Sequence, residues 1–168
     1  MHRLDKGTSG VMLVARTDAA HRNLATQFAG RKVKKVYLAL VMGHVKQDAG
    51  RIDTAITRDP VNRDQDDGPA GRRARGPHRV FCAGAAETPH AAAVLIGTGR
   101  THQNSGPILS QLGHPVAGDP LYGAPAAPEN RPWLHAWRIT FTSPATGEEV
   151  TIEAPLPEEL VAWKERLL

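Results

Sequence analysis

Apolar and polar positions alternate most clearly in two stretches of this chain. In "VYLALVMG" Val36, Leu38, Leu40 and Met42 fall on one side, and Tyr37, Ala39 and Val41 on the other. A period of two is the signature of a strand, so residues 36–42 are predicted as one, with Tyr37 turned away from the larger aliphatic set. In "LHAWRITF" the same period puts Trp137, Ile139 and Phe141 on one face, "SPATGEE" supplies a turn, and "VTIEA" returns as a second strand. Helical spacing shows in two other places. Thr17-Asp18 offers an N-cap to a segment with Ala20, Leu24 and Phe28 on one side, which Gly30 ends. After Pro157, "EELVAWKERLL" reads as an amphipathic helix with early glutamates and late Lys164 and Arg166, the order that suits the helix dipole.

Between these elements the pattern is less regular. "VMLVA" (11–15) has the length of a short buried strand, and "AAVLIG" (92–97) reads as another. Pro107 starts a short helix with Ile108 and Leu112 four apart, closed by Gly113, and "GDPLYG" makes a tight turn. Residues 59–79, rich in Gly, Pro, Asp and Arg, are expected to form an irregular loop, acidic first and basic afterwards. With no internal repeat, the sum is a single α+β domain over 1–168, a mixed and mostly antiparallel sheet with flanking helices.

Composition narrows the chemistry. At 168 residues, 40% hydrophobic and 23% charged, the chain can build one core. It has no run of membrane-spanning length and no apolar leader, so a cytoplasmic monomer is the expectation. Cys82 is the single cysteine, which leaves no disulfide framework and no cysteine-based zinc site. The eight histidines form no H-E-x-x-H pair, so no metal is expected. "GTGR" lacks a Walker lysine, and no G-x-S-x-G elbow is present. A formal charge of +4 suits a polyanion such as RNA, although many soluble proteins are equally basic.

The densest chemistry is in "HRLDKGTSG" (2–10). Taken alone, an aspartate between a basic pair and a glycine turn is an ordinary solvated turn residue. Read in order with "KKVYLALVMG", "GTGRTHQ…LGHPVAGDPLYG" and "LHAWRITFTSPATGEEVTIEAPLP", the segment closely resembles the RluA-type family of RNA pseudouridine synthases. The resemblance covers well over half the chain.

It implies a pseudouridine-synthase-like core that isomerises uridine in ribosomal or transfer RNA without a cofactor. Asp5 matches the family's essential aspartate, which attacks the ribose anomeric carbon or assists expulsion of uracil towards a glycal. Arg100, in "RTHQ", matches the arginine that keeps this carboxylate ionised, and Thr101 and His102 belong to the same RNA-contacting motif. Tyr37 matches a tyrosine that stacks on the target uracil and takes the C5 proton. Arg3 matches an arginine that fills the gap left by the flipped base. Lys32, Lys34 and Lys35 are expected to follow phosphates.

The chain departs from the family in three places. Full-length relatives carry a catalytic-domain segment with a K-P-x-G loop before H-R-L-D, so Asp5 is expected on a frayed terminus. "NSGP" (104–107) stands in place of a run with a further arginine, and 68–79 fits the family poorly. These departures support a competing expectation, an impaired or inactive RNA-binding remnant.

Overall fold

The computed structural model describes residues 2–43, 49–52, 57–58, 66–67, 78–82, 91–98, 109–110, 113–127 and 130–167. In chain order the elements are β1 (Ser9–Gly10), α1 (Asp18–Ala29), β2 (Lys34–Met42), β3 (Ala49–Ile52), β4 (Thr57–Arg58), β5 (Asp66–Asp67), β6 (His78–Cys82), β7 (Ala91–Thr98), β8 (Leu134–Thr142), β9 (Glu149–Glu153) and α2 (Glu158–Leu167).

The strand with the cleanest alternation, β2, has a neighbour on each side. It pairs antiparallel with β7 and with β8, in a mixed sheet ordered β1–β8–β2–β7–β6–β3. β1 runs parallel to β8, whose other half carries β9 antiparallel. β4 and β5 form a separate antiparallel pair.

The two faces of β2 bury two different cores, as its period of two requires. Tyr37, Ala39 and Val41 pack with Leu109, Val116, Leu134 and Ala136, and Leu4 joins them. Leu40 packs on the opposite face with Ala117, Trp133, Leu160 and Trp163, and Leu38 and Met42 lie against that cluster. The split expected between Tyr37 and the aliphatic set is therefore present. α2 supplies Leu160 and Trp163 to the second core, and the Trp133 indole N–H donates to the Leu160 carbonyl at 2.8 Å.

Helix α1 begins where the sequence indicates. The Thr17 side chain accepts from the Ala20 N–H at 3.2 Å, and Gly30 follows the last turn. A tie that periodicity did not reveal comes from buried Gln27. Its side-chain amide donates to the Thr142 carbonyl (2.7 Å), and its side-chain oxygen accepts from the Thr142 N–H (2.9 Å). Gly113 closes its turn with φ +79°, its N–H meeting the Ser110 carbonyl at 2.9 Å. "GDPLYG" folds into a 3-10 turn over Pro120–Tyr122.

Three expectations need correction. "VMLVA" is not a buried strand: only Ser9 and Gly10 pair with β8, and Met12 and Val14 are 48% and 69% exposed. The apolar run continues past the pairing but has no element over its outer side among the described residues. The supposed loop 59–79 contains paired backbone at Asp66–Asp67 and at the start of β6, while the rest of it lies outside the described residues. The simple alternation of β8 also fails. Its register to β2 slips so that Tyr37 faces Ala136 while Val36 faces Arg138, leaving Trp137 as the extra residue of a bulge. The face occupied by Leu134 and Ala136 passes to Ile139, not through Trp137.

Leu160 is completely buried between sheet and helix. Leu160→Ala is expected to lower stability by about 2–5 kcal/mol, read from the midpoint of urea unfolding at unchanged slope.

Candidate active site

The segment from His2 to Gly10 is held at both ends. At its start the His2 ring stacks on Phe28 of α1 with centroids 4.6 Å apart, and its Nε2 accepts from the Leu13 N–H at 3.0 Å. At its end β1 lies against β8, and the Val11 N–H donates to the Ala136 carbonyl at 2.9 Å. A frayed terminus is not what the structure has here. Between the anchors the chain turns back, with the Thr8 N–H on the Asp5 carbonyl at 3.0 Å and Gly7 at φ +79°.

Gly10 makes the second anchor possible. It has φ +115°, and a Cβ there would sit 2.2 Å from the Ala136 carbonyl oxygen, a backbone atom with no freedom to move aside. Ser9 adds a polar lock. Its hydroxyl is 2.8 Å from His135 Nδ1, and His135 Nε2 is 3.1 Å from the Ala154 carbonyl. A carbonyl only accepts, so Nε2 carries the proton; in the neutral ring Nδ1 then accepts from the Ser9 hydroxyl. Arg131 donates from Nη2 to the same hydroxyl oxygen at 2.9 Å and pairs with Glu159 on α2 through Nη1. Sequence reading assigned no role to Ser9, Gly10, Arg131 or His135. The glycine after "TS" was the available signal, whereas Arg131 is 122 positions from its serine partner.

The expected site residues divide into three groups. Asp5 is half-buried, directly after the Leu4 that packs into the Tyr37 core, and Tyr37 itself is 2% exposed. Arg3, Lys32 and Lys34 are exposed, and Lys34 pairs with Glu149 at 3.2 Å in a fully solvated geometry that contributes little. Arg100, Thr101 and His102 lie outside the described residues. β7 ends at Thr98, in register with Lys35, and Arg100 follows two residues later in sequence.

Lys35 does not belong with the surface lysines. It is 6% exposed and lies two residues before Tyr37 on the same side of β2. Burial pushes its ammonium below the ordinary lysine range, and the charge of Asp5 pulls it partly back. His2 responds to the same surroundings. Burial, then Lys35, then the chain's amino terminus lower its imidazole from 6.5 to about 4. Among the described residues no group of three His, Cys, Asp or Glu side chains could hold a metal, and no helix is long and apolar enough to cross a membrane.

This sheet with its flanking helices is the architecture of pseudouridylate synthase domains. The solved human RNA pseudouridylate synthase domain containing 1 superposes with a TM-score of 0.76 at 31% identity, over 93% of this chain and 68% of its own. A family model described as RNA pseudouridylate synthase matches residues 1–103, and the chain belongs to that family. The dual-specificity RNA pseudouridine synthase RluA of Escherichia coli is 40% identical, over 92% of this chain and 72% of that protein. The ribosomal large subunit pseudouridine synthase D of Nitrosomonas europaea is 39% identical over 96% of this chain. The chain spans about half the length of the latter relative, 49% of it.

Two outcomes test this geometry. Because His2 binds its proton more weakly folded than unfolded, its contribution to stability is complete above pH 6.5 and is lost as the pH falls towards about 4. The melting temperature is expected to drop over that window, and His2→Phe, which cannot titrate, should flatten the drop. Arg131→Ala should loosen the second anchor, seen as faster hydrogen exchange at the Val11 amide with exchange in the β2–β7 ladder unchanged.

Proposed function

We propose that this chain carries the isomerisation of uridine to pseudouridine in RNA, with Asp5 as the catalytic carboxylate. The observation that carries the reading is the setting of Asp5: a half-buried carboxylate on an anchored loop, electrostatically coupled to a buried ammonium beside Tyr37. A catalytic carboxylate must stay ionised while partly withdrawn from water, and a cation nearby is the group that works against protonation.

The reaction breaks the bond between the ribose anomeric carbon and uracil N1 and forms one from that carbon to uracil C5. The C5 proton leaves and N1 gains one, so atoms balance without a cofactor. Asp5 acts at the sugar, by attack on the anomeric carbon or as the base leading to a glycal. Arg100 is the second cation for this carboxylate, with Thr101 and His102 contacting RNA beside it. Arg3, exposed on the aspartate loop, occupies the space of the extruded base, offsetting part of a flipping cost of about a few kcal/mol. Exposed Lys32 and Lys34 meet phosphates. Tyr37 takes the C5 proton. Its deep burial means that a uracil stacks on the ring only if the cover of its cluster, Leu4 included, gives way. The name of the Nitrosomonas relative points to RNA of the large ribosomal subunit as the first substrate, with transfer RNA second.

Tritium release from RNA labelled at uridine C5 measures the reaction, since only loss of the C5 proton frees the label. The wild-type chain is expected to release it, Asp5→Asn and Asp5→Ala to abolish release, and RNA affinity to stay within a few fold. Tyr37→Phe keeps the ring's packing, so release slowed far beyond any change in melting temperature separates proton transfer from a structural role. RNA binding with no release by the wild-type chain overturns the enzyme reading in favour of an RNA-binding remnant.

A further inference from the structure

A lysine is almost never buried without a partner, because withdrawing an ammonium from water costs several kcal/mol that only an opposite charge or good hydrogen bonds return. Lys35 is 6% exposed. Its register neighbours are Ile139 on β8 and Thr98 on β7, neither of which carries a charge. A side chain this deep cannot follow a phosphate backbone as Lys32 and Lys34 can. Its strand face is that of Tyr37, whose cluster takes in Leu4, the residue before Asp5.

We propose that Lys35 is a positioning residue of this site, a buried cation that holds the Asp5 carboxylate ionised and oriented beside Tyr37. The proposal rests on the reading of Asp5 as the catalytic group and adds a member to that site. Among the described residues the charged and titratable groups on the elements packed there are these. The N-terminal segment brings Asp5 and His2, with the chain's amino terminus acting on His2, and places Arg3 and Lys6 in solvent. β2 brings Tyr37 and Lys35. On β8, His135 lies in register with Leu38 and bonds Ser9 and the Ala154 carbonyl, and Arg138 lies in register with Val36 on the opposite face and pairs with Glu153. Arg100 lies beyond the end of β7, outside the described residues. His2 is held neutral partly by Lys35 itself, so it does not compete for the carboxylate at neutral pH. Lys35 attracts Asp5 and repels protons from His2. One buried charge thus acts on both its ionisable neighbours.

The test compares Lys35→Met with Lys35→Arg. Met fills similar volume without charge, so the carboxylate's dependence on the cation shows directly in its proton affinity. In single-turnover tritium release, Lys35→Met is expected to move the acid limb of the pH profile upward by about one unit, equivalent to tenfold in proton affinity, with activity recovering at higher pH. Lys35→Arg should leave the limb near its wild-type position. A merely structural lysine would scale the rate without moving the limb, and that result overturns the proposal. The carboxyl carbon resonance of Asp5, titrated by NMR in the RNA-free protein, is the second readout. It should shift its midpoint upward in Lys35→Met and not in Lys35→Arg, whether or not the protein turns over. If the wild type releases no tritium yet this midpoint moves, the enzyme reading fails and the charge pairing stands. If the midpoint is unmoved, the pairing fails whatever the activity. Should Lys35→Met lose its far-ultraviolet dichroism, Lys35→Gln serves in its place with the same expected shifts.

Discussion

A backbone contact too close for any side chain fixes the position of the aspartate loop. Gly10 lies so near the Ala136 carbonyl that every other residue would drive the two strands apart. The consequence reaches past two paired residues. With β1 seated, Ser9 meets both His135 and Arg131, and Arg131 in turn ties the edge of the sheet to α2 through Glu159. Asp5 is then suspended between this lock and the His2–Phe28 stack on α1. A short segment with little hydrophobic surface of its own is ordered by clamps at its two ends, which leaves the Asp5 carboxyl at its middle half-buried rather than enclosed.

β2 is the second element of the design, and its pleat does the sorting. One face joins the sheet to α2 through large aromatic and aliphatic side chains, and it reads as scaffold. The other carries Lys35, Tyr37, Ala39 and Val41, a lysine and a tyrosine followed by small apolar residues. Placing ionisable groups on the face that also packs Leu4 lets the core itself set the local dielectric. The depressed lysine and the depressed histidine are both products of that burial.

Much of this was legible in the chain. Alternation in 36–42, the hairpin after Leu134, the Thr17 cap and the charge order of the last helix are local signals, and each reports a local cause: pleat, turn, cap or dipole. The motifs singled out Asp5 and Tyr37, and in the structure Leu4, the residue before Asp5, packs against the Tyr37 cluster. The burial of Lys35 was not, because "RKVKK" gives its lysines the same appearance and only the phase of the strand distinguishes the third from the others. Gln27 and Arg131 were missed for a related reason, since their partners are more than a hundred positions away. The run at 11–15 misled because apolar content announces a strand, whereas pairing requires a neighbour's free edge. β8 gives that edge to β1 over two residues and to β9 over five.

The bulge at Trp137 divides β8 into two stretches with independent phase. Residues 134–136 answer to the aspartate loop and Tyr37, whereas 138–142 answer to β9, to the Lys34–Val36 end of β2 and, through Thr142, to α1. Because the offset is absorbed at one residue whose carbonyl is taken by the Ala154 N–H, substitutions in the hairpin need not propagate across it. The strand works as two stretches spliced end to end, each with its own phase against β2, and the outer one still faces Lys35 through Ile139.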